Sequence, residues 1–574
     1  HAVPVIADAY LKGLRGYDID KAFEAMKHSA NQDKLGLESY KSLGYIPVEF
    51  ESESVSKTLE YAYDDWTIAQ MAKDLGKDDD YKTFSERAQY YKNIFDPESQ
   101  FMRGRFRNTW FAPFDPYEVN FNYTEANAWQ YSFYVPQDIS GFTQLLGGKK
   151  ALEKQLDALF VAANKTSGRQ QVDITGLIGQ YAHGNEPSHH MAYLYNFVNK
   201  PAKTQEKVRQ ILTELYTNTP DGIAGNEDCG QMSAWYIFSA LGFYPVTPGS
   251  NQYIIGAPLF EKATLHLENG NTFTVQAKQL SEKNKYIQSV TLNGKDYLHS
   301  YIQHQAIIQG GNLVFEMTDQ PSDWGSQDAF IPETKIKDHL IVPAPYIAKG
   351  KTAFQESTAV SLSSVDKKAA IYFSLGGEFQ KYIRPFLISE KATLAVYAQK
   401  EGIKSVVITT DFYKIDPNLK IALKTSYANQ YNAGGDHALI DGVLGTKDFR
   451  TGTWQGYFDS DVVAVVDLGS KKNIKEVSIG FLQDQRSWIF YPTKVNCLVS
   501  NDGVNFQAYP NGSRTLNSTM QTPAVTLKRV QFEGAGTFRY VKIIAKKLGE
   551  LPTWHLGYKH EGRSWLFVDE IQIQ

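Results

Sequence analysis

Near Gly249 the hydrophobic pattern of this chain changes period, which confines it to an architecture in which a helical region precedes a β-rich one. From His1 to about Pro248 apolar residues recur at helical spacing. In VSKTLEYAYDDWTIAQMAKDLG (55–76), Leu59, Tyr63, Trp66, Ile68 and Met71 make one broad apolar side. Ser54 or Ser56 is the candidate cap there, and Gly76 can take the left-handed position beyond the last turn. Further helices are predicted over 86–95, 149–164, 186–198, 204–216 and 229–242, each followed by a loop rich in Gly, Pro, Asn or Asp. That succession fits an α-helical toroid whose loops converge on one end. Beyond Gly249, ATLHLENGNTFTVQAKQ (263–279) alternates with a period of two around an Asn-Gly turn, the signature of a hairpin. Strand-like runs continue through 307–317, 369–377 and 392–402. A chain of 574 residues exceeds what one core organises. The predicted units are a helical region over 1–250, a β-sandwich extension over 251–340, a small β-sandwich over 341–414 and a final β domain over 415–574.

A formal net charge of −4 gives no basic excess to neutralise a phosphate backbone, which argues against nucleic acid as a partner. No run of about eighteen apolar residues is present, so no helical membrane span is expected. The two cysteines, Cys229 and Cys497, fall in different predicted units, so no disulfide is expected and the redox compartment stays open. Aromatic residues reach 13%, with 35 Tyr and 9 Trp; such rings suit the faces of sugars, although β-rich domains also use them in cores and strands. The opening HAVPVIADAYLKGL has neither the charged stretch nor the cleavage site of a signal peptide, so an export signal is expected upstream.

Cleaving a glycosidic bond takes one carboxylic acid to protonate the leaving oxygen and a second carboxylate to attack or to activate water. Three segments offer candidates. In NYTEANAWQYSFYVPQD (122–138), an aromatic and amide context around Glu125 favours a desolvated, protonated carboxyl, and Trp129 is a candidate sugar contact. In GLIGQYAHGNEPSHH (176–190), His183, Asn185, Glu186, His189 and His190 crowd a Gly and Pro turn, with His183 and Asn185 as candidate substrate contacts. In PDGIAGNEDCGQMSAW (220–235), Asn226, Glu227 and Asp228 precede a helix. Each has a plain structural counterpart, since an acid before a helix is an ordinary cap or dipole partner. Clustering weighs against that, because a cap needs only one of the polar groups in GNED. The His spacing matches no zinc pattern and no cysteine supports one, whereas Glu and Asn oxygens suit calcium. Asp64 and Asp65 in EYAYDDW either line a pocket or face solvent.

Together HAVPVIADAYLKG, SKTLEYAYDDW, YTEANAWQYSF, DITGLIGQYAHGNEPSHHMAYLYN and GNEDCGQMSAWYIFSALGFYPVTPGS resemble glycoside hydrolase family 92 α-mannosidases over residues 1 to about 325. The resemblance implies an (α/α)6 toroid packed on β-sandwich structure, exo-hydrolysis of terminal α-mannosides with inversion, and a calcium ion on the hydroxyls of the terminal mannose. It makes Glu125 the general acid and Asp228 the base, with Glu227 as the neighbouring alternative, and places calcium among Gln180, Glu186 and Asn226. Family members carry an N-terminal β-sandwich and first toroid helices ahead of the point where this sequence begins. An incomplete toroid is therefore expected, without the aromatics of that sandwich.

The stretch from VPAPYIAKGK to about 404 resembles the small β-sandwich after some hexosaminidase catalytic domains. The last part, with GGDHALIDGVLG, WQGYF, VSNDGVNFQAY and FVDEIQIQ, resembles discoidin, or coagulation factor type C, domains, many of which bind sugars. That likeness implies a structural calcium at Asp441 and Glu570. Trp454, Trp488, Trp554 and Trp565 are candidates for sugar stacking or for the core. The resulting expectation is a secreted, periplasmic or cell-surface, calcium-dependent enzyme acting on mannose-containing glycans of N-glycan or mannan type. The alternatives are a glycan-binding, adhesive protein with a catalytically incomplete toroid, and a toroidal hydrolase or lyase for another sugar.

Overall fold

The computed structural model describes residues 2–560 and 562–574. Helices Ala2–Leu11, Ile19–Ala30, Leu37–Leu43, Ser54–Asp74, Asp78–Arg87, Ile139–Leu146, Lys149–Val161, Pro201–Glu214 and Gln231–Leu241 form the first part. Helix Ser54–Asp74 is its centre, and it is buried on more than the single side read from its pattern. Ile68, Ala69, Met71 and Ala72 pack with Val3, Ala7, Tyr10, Phe23 and Met26. Val55 and Leu59 instead enter an aromatic core with Tyr91, Tyr123, Tyr131 and Phe133. Its start differs from expectation: Glu53 occupies the cap position with no side-chain bond. Gly76 does take a left-handed conformation, at φ 67°.

Two of the predicted helices are not α-helical. The 86–95 stretch ends its α-helix at Arg87 and continues as a 3-10 turn, Tyr90–Ile94. The 186–198 stretch forms two 3-10 segments, Glu186–Ser188 and Met191–Val198, the first with Pro187 at its start, where proline supplies no N–H. In the 229–242 stretch the α-helix waits until Gln231, because Cys229 (φ 52°) and Gly230 (φ 81°) are both left-handed.

The Asn-Gly hairpin pairs Lys262–His266 with Thr272–Lys278 in a five-stranded sheet that also holds Gly311–Thr318, Tyr286–Leu292 and Lys295–Asp296. The strand expected from 307 begins only at Gly311, after the short helix His304–Ile308. Two further sheets span residues 346–414 and share the aromatic core of the helical part through Ile347, Phe354, Leu394 and Phe412. The fully buried Arg105 ties the two together, donating to the carbonyls of Asn93 (3.1 Å) and Pro345 (2.7 Å) with the Tyr45 ring 4.2 Å below it. The C-terminal part is a seven-stranded antiparallel assembly built on the long strands Val462–Gln483 and Thr526–Lys546, with a separate core including Val477, Ile479, Val495, Phe532 and Val541. It docks on the helical part where Gly452 meets Phe111; a Cβ there would lie 3.3 Å from the ring.

Candidate active site

Glu125 sits in a pinned loop just before the short helix Ala128–Tyr131. Asn127 Oδ1 accepts from the Gln130 N–H at 3.3 Å and Gln130 Oε1 accepts from the Asn127 N–H at 3.1 Å, a reciprocal cap. Just upstream, the Thr124 N–H donates to Ser56 Oγ at 2.9 Å and the Tyr123 hydroxyl to the Met102 carbonyl at 2.7 Å. Between these anchors Glu125 is left-handed, at φ 51°, an unfavoured conformation for a side chain with a Cβ. Its half-buried carboxylate accepts from Asn185 Nδ2 at 3.5 Å. Burial raises its pKa, and the charges of Asp173 and Glu186 raise it further.

The other two motif loops are brought to the same place by backbone contact. A Cβ on Gly225 would stand 2.5 Å from Gly184 Cα, so the 222–228 loop rests directly on the 176–184 loop only with glycine there. Asn226 Nδ2 then donates to Asp173 Oδ1 at 3.0 Å. Glu227 turns toward the helix that follows, its Oε1 accepting from the Ser233 N–H at 3.1 Å. The cap function considered for Asp228 thus falls to Glu227. Asp228 is exposed, and its carboxylate makes no hydrogen bond or ion pair among the described residues. Asp173, which bridges the two loops, carried no distinctive sequence signal.

Several candidates have structural employment instead. His183 is fully buried: Nδ1 bonds the Tyr181 hydroxyl and Nε2 the Tyr216 hydroxyl, both at 2.7 Å, beneath the Trp235 ring. With both nitrogens spent it braces the cleft rather than reaching sugar. His189 and His190 bond the carbonyls of His183 and Phe133, and burial pushes each down to about 4. Trp129 lies in the core, edge-on to Phe101 at 4.7 Å. Gln180 is also buried; its Oε1 accepts from Asn127 at 2.8 Å and its Nε2 donates to the carbonyls of Ala163 and Lys165. That leaves Gln180 fixing the Glu125 loop. Asp65 is buried and paired with Arg87 at 2.8 Å, and burial raises it to about 6. Asp64 is half-buried, raised to about 7 by burial and then by Asp65 and Glu60.

Glu125, Asp173 and Glu186 form no ion pair with Lys or Arg among the described residues. No three His, Cys, Asp or Glu side chains among the described residues form a metal cluster by themselves. A hard cation here would need amide and backbone oxygens beside Glu186 and Asn226.

A second acidic pair lies in the C-terminal part. Glu570 is buried, its Oε2 has no partner, and its carboxyl is pushed up to about 8 by burial and by Asp441. Asp441 is raised to about 6, chiefly by burial. Their neighbour Asp569 is already satisfied by Arg529 at 2.9 and 3.0 Å. Of the four candidate tryptophans, Trp454 is core at 1% exposure, Trp565 packs on Tyr431, and Trp488 and Trp554 are 40% and 37% exposed. No helix among the described residues is long and apolar enough to cross a membrane.

The family model of the glycosyl hydrolase family 92 catalytic domain matches residues 1–319, and that of the F5/8 type C domain matches residues 422–566. A family GH92 α-mannosidase from Bacteroides thetaiotaomicron, solved in complex with mannoimidazole, is 43% identical, with a TM-score of 0.56 over 59% of this chain and 47% of its own. A family GH92 inverting mannosidase from the same organism is 38% identical, with a TM-score of 0.54 over 58% of this chain and 48% of its own. An uncharacterized secreted glycosidase from Arthroderma benhamiae is 30% identical over 372 residues, 57% of this chain and 46% of that protein. The chain thus spans about half the length of these relatives. With a catalytic-domain match covering more than half of its residues, the chain belongs to glycosyl hydrolase family 92 and carries an F5/8 type C domain behind it.

Proposed function

We propose that this protein removes terminal α-linked mannose from glycans, acting from the chain end with inversion and depending on calcium. The observation that carries the reading is the contrast between two carboxyls on loops that both meet the 176–190 segment: Glu125, bonded to Asn185 and shifted toward its protonated form by burial and then by Asp173 and Glu186, and Asp228, exposed and unengaged. Glu125 donates its proton to the glycosidic oxygen as the bond breaks. Asp228 takes a proton from the water that attacks the anomeric carbon from the opposite face. Such an inverting pair stands about 6.5–9.5 Å apart so that water fits between. Glu227 is the weaker base candidate because its carboxylate serves the following helix. The mannosidase names of two relatives, one described as inverting, support the substrate and the stereochemistry.

Calcium suits two places. In the cleft, Glu186 and Asn226 offer oxygens beside the carboxyls of Glu125 and Asp173, and a bound cation would hold sugar hydroxyls. In the C-terminal module, the unpartnered Glu570 Oε2 facing Asp441 fits a structural ion. The exposed Trp488 and Trp554 give that module faces for sugar stacking. Export is supported by the secreted description of the Arthroderma benhamiae relative.

The test incubates the protein with α-mannobioses of each linkage, with and without a chelator, beside the Glu125→Gln variant. Mannose release that stops with the chelator and with the variant is expected. Release that persists in chelator removes calcium dependence, and full activity of the variant removes Glu125 as the acid.

A further inference from the structure

A cleft of about 480 Å³ lies between the helical part and the C-terminal module, within the range of ligand sites. One wall is Phe111, Glu118, Asn120 and Phe121; the other is Asn429, Gln430 and Tyr431 with Phe449 and Arg450. The walls are held at a fixed spacing by rings. Phe121 stacks on Tyr431 at 5.7 Å and meets Phe449 edge-on at 5.9 Å, with the Arg169 guanidinium 4.8 Å from its other side. This leaves a rigid aromatic floor below a rim of amides. Among the described residues the side-chain amides of Asn429 and Gln430 have no hydrogen-bond partner, and both are exposed at the mouth.

The cleft is connected to the candidate active site by two strands that run side by side. Glu118–Val119 pairs in parallel with Ser167–Gly168. The first continues through Phe121 to Glu125, and the second through Arg169 to Asp173, whose charge acts on Glu125. Four residues span at most about 15 Å, so the cleft floor lies within a few sugar units of the acid.

We propose that this interdomain cleft is a distal glycan subsite, holding the leaving-group arm of an oligosaccharide whose terminal residue sits at Glu125. Unspent amides recognise hydroxyls as both donors and acceptors, and the packed rings below them give the sugar a firm apolar base without offering an open stacking face. The module would then shape which glycans are cut, in addition to attaching the enzyme to them. The inference rests on the glycosidase reading for its substrate, yet its binding arm can be measured without turnover.

The test compares Gln430→Ala, which removes an amide, and Gln430→Trp, which fills the mouth, with the parent protein. All are made on a Trp488→Ala/Trp554→Ala background, so that the exposed tryptophans do not report. Expected is a fall of about tenfold, relative to mannobiose, in kcat/KM for mannotetraose, and a fivefold or greater rise in the tetraose Kd by calorimetry with Glu125→Gln added to each protein so that the tetraose is not consumed. An unchanged tetraose Kd, or an equal loss on both substrates, overturns the subsite. Tetraose binding that is weakened by the variants in a protein that cleaves neither substrate upholds the subsite and rejects the glycosidase reading instead.

Discussion

The two acidic groupings of this chain are built from the same kinds of carboxyl, yet their surroundings assign them opposite work. Glu125 is half-buried on a loop beside Asp173 and Glu186, at the edge of solvent, where burial and then those charges shift its pKa upward, the direction a proton donor needs. Glu570 is sealed against Asp441 with an oxygen that nothing satisfies, a position a cation would relieve. Raised pKa values alone do not distinguish an acid catalyst from a metal ligand; access to a leaving group does.

The largest effect separating the two should come from Glu125→Gln. General acid catalysis contributes roughly 10² to 10⁴-fold, so kcat on mannobiose should fall within that range, and far less on aryl mannosides whose leaving group needs no proton. Equal losses on both substrates would take the proton-donor role away from Glu125. Next in size, Glu570→Gln should abolish the effect of calcium on the melting of the C-terminal module. In the parent protein, calcium at a hundred times its Kd should stabilise by about 2.7 kcal/mol, or roughly 5–10 °C for a domain of this size. A calcium shift that survives the substitution would place the ion elsewhere.

Two sets of buried side chains should also respond to pH in opposite directions when chelator is present. His189 and His190, below the catalytic cleft, fall from 6.5 to about 4 on folding. Their contribution is present above pH 6.5 and lost as pH falls through 4. Glu570 rises from 4.5 to about 8, so its contribution is present below pH 4.5 and lost as pH rises through 8. In the helical part Asp64 and Asp65, raised to about 7 and about 6, oppose the histidines, so the clear reading is in the module. Calorimetry between pH 4 and 8 in chelator should show its transition moving down, with most of that slope gone in Glu570→Gln. A slope that survives the substitution would contradict the assignment. The smallest effect expected is a loss of about fivefold in glycan affinity for Trp554→Ala, from one stacking face, with the calcium shift intact.

Local signals were readable in the sequence, and distant ones were not. The Asn269-Gly270 turn announced its hairpin, and the left-handed Gly76 ended its helix, because both are decided by a few adjacent residues. The catalytic-domain and F5/8 type C matches agree with the resemblances carried by the long motifs. His183, by contrast, looked like a substrate contact because its partner Tyr216 lies 33 residues away. Gln180, placed among the calcium ligands by the family resemblance, is bonded to Asn127 across 53 residues, a pairing that no local pattern shows. Asp173 went unremarked, since its value comes from Asn226 and Glu125 across loops that meet through Gly184 and Gly225. The interdomain cleft joins segments some three hundred residues apart and has no local signature.

The central claim is that Glu125 protonates a mannoside while Asp228 activates water on the opposite face. Proton NMR of the sugar first released from α-mannobiose, in calcium and before mutarotation, reads it directly. β-Mannose as the first product is expected, with its formation lost in both Glu125→Gln and Asp228→Asn. α-Mannose as the first product, or undiminished release by the Asp228→Asn variant, would contradict the account.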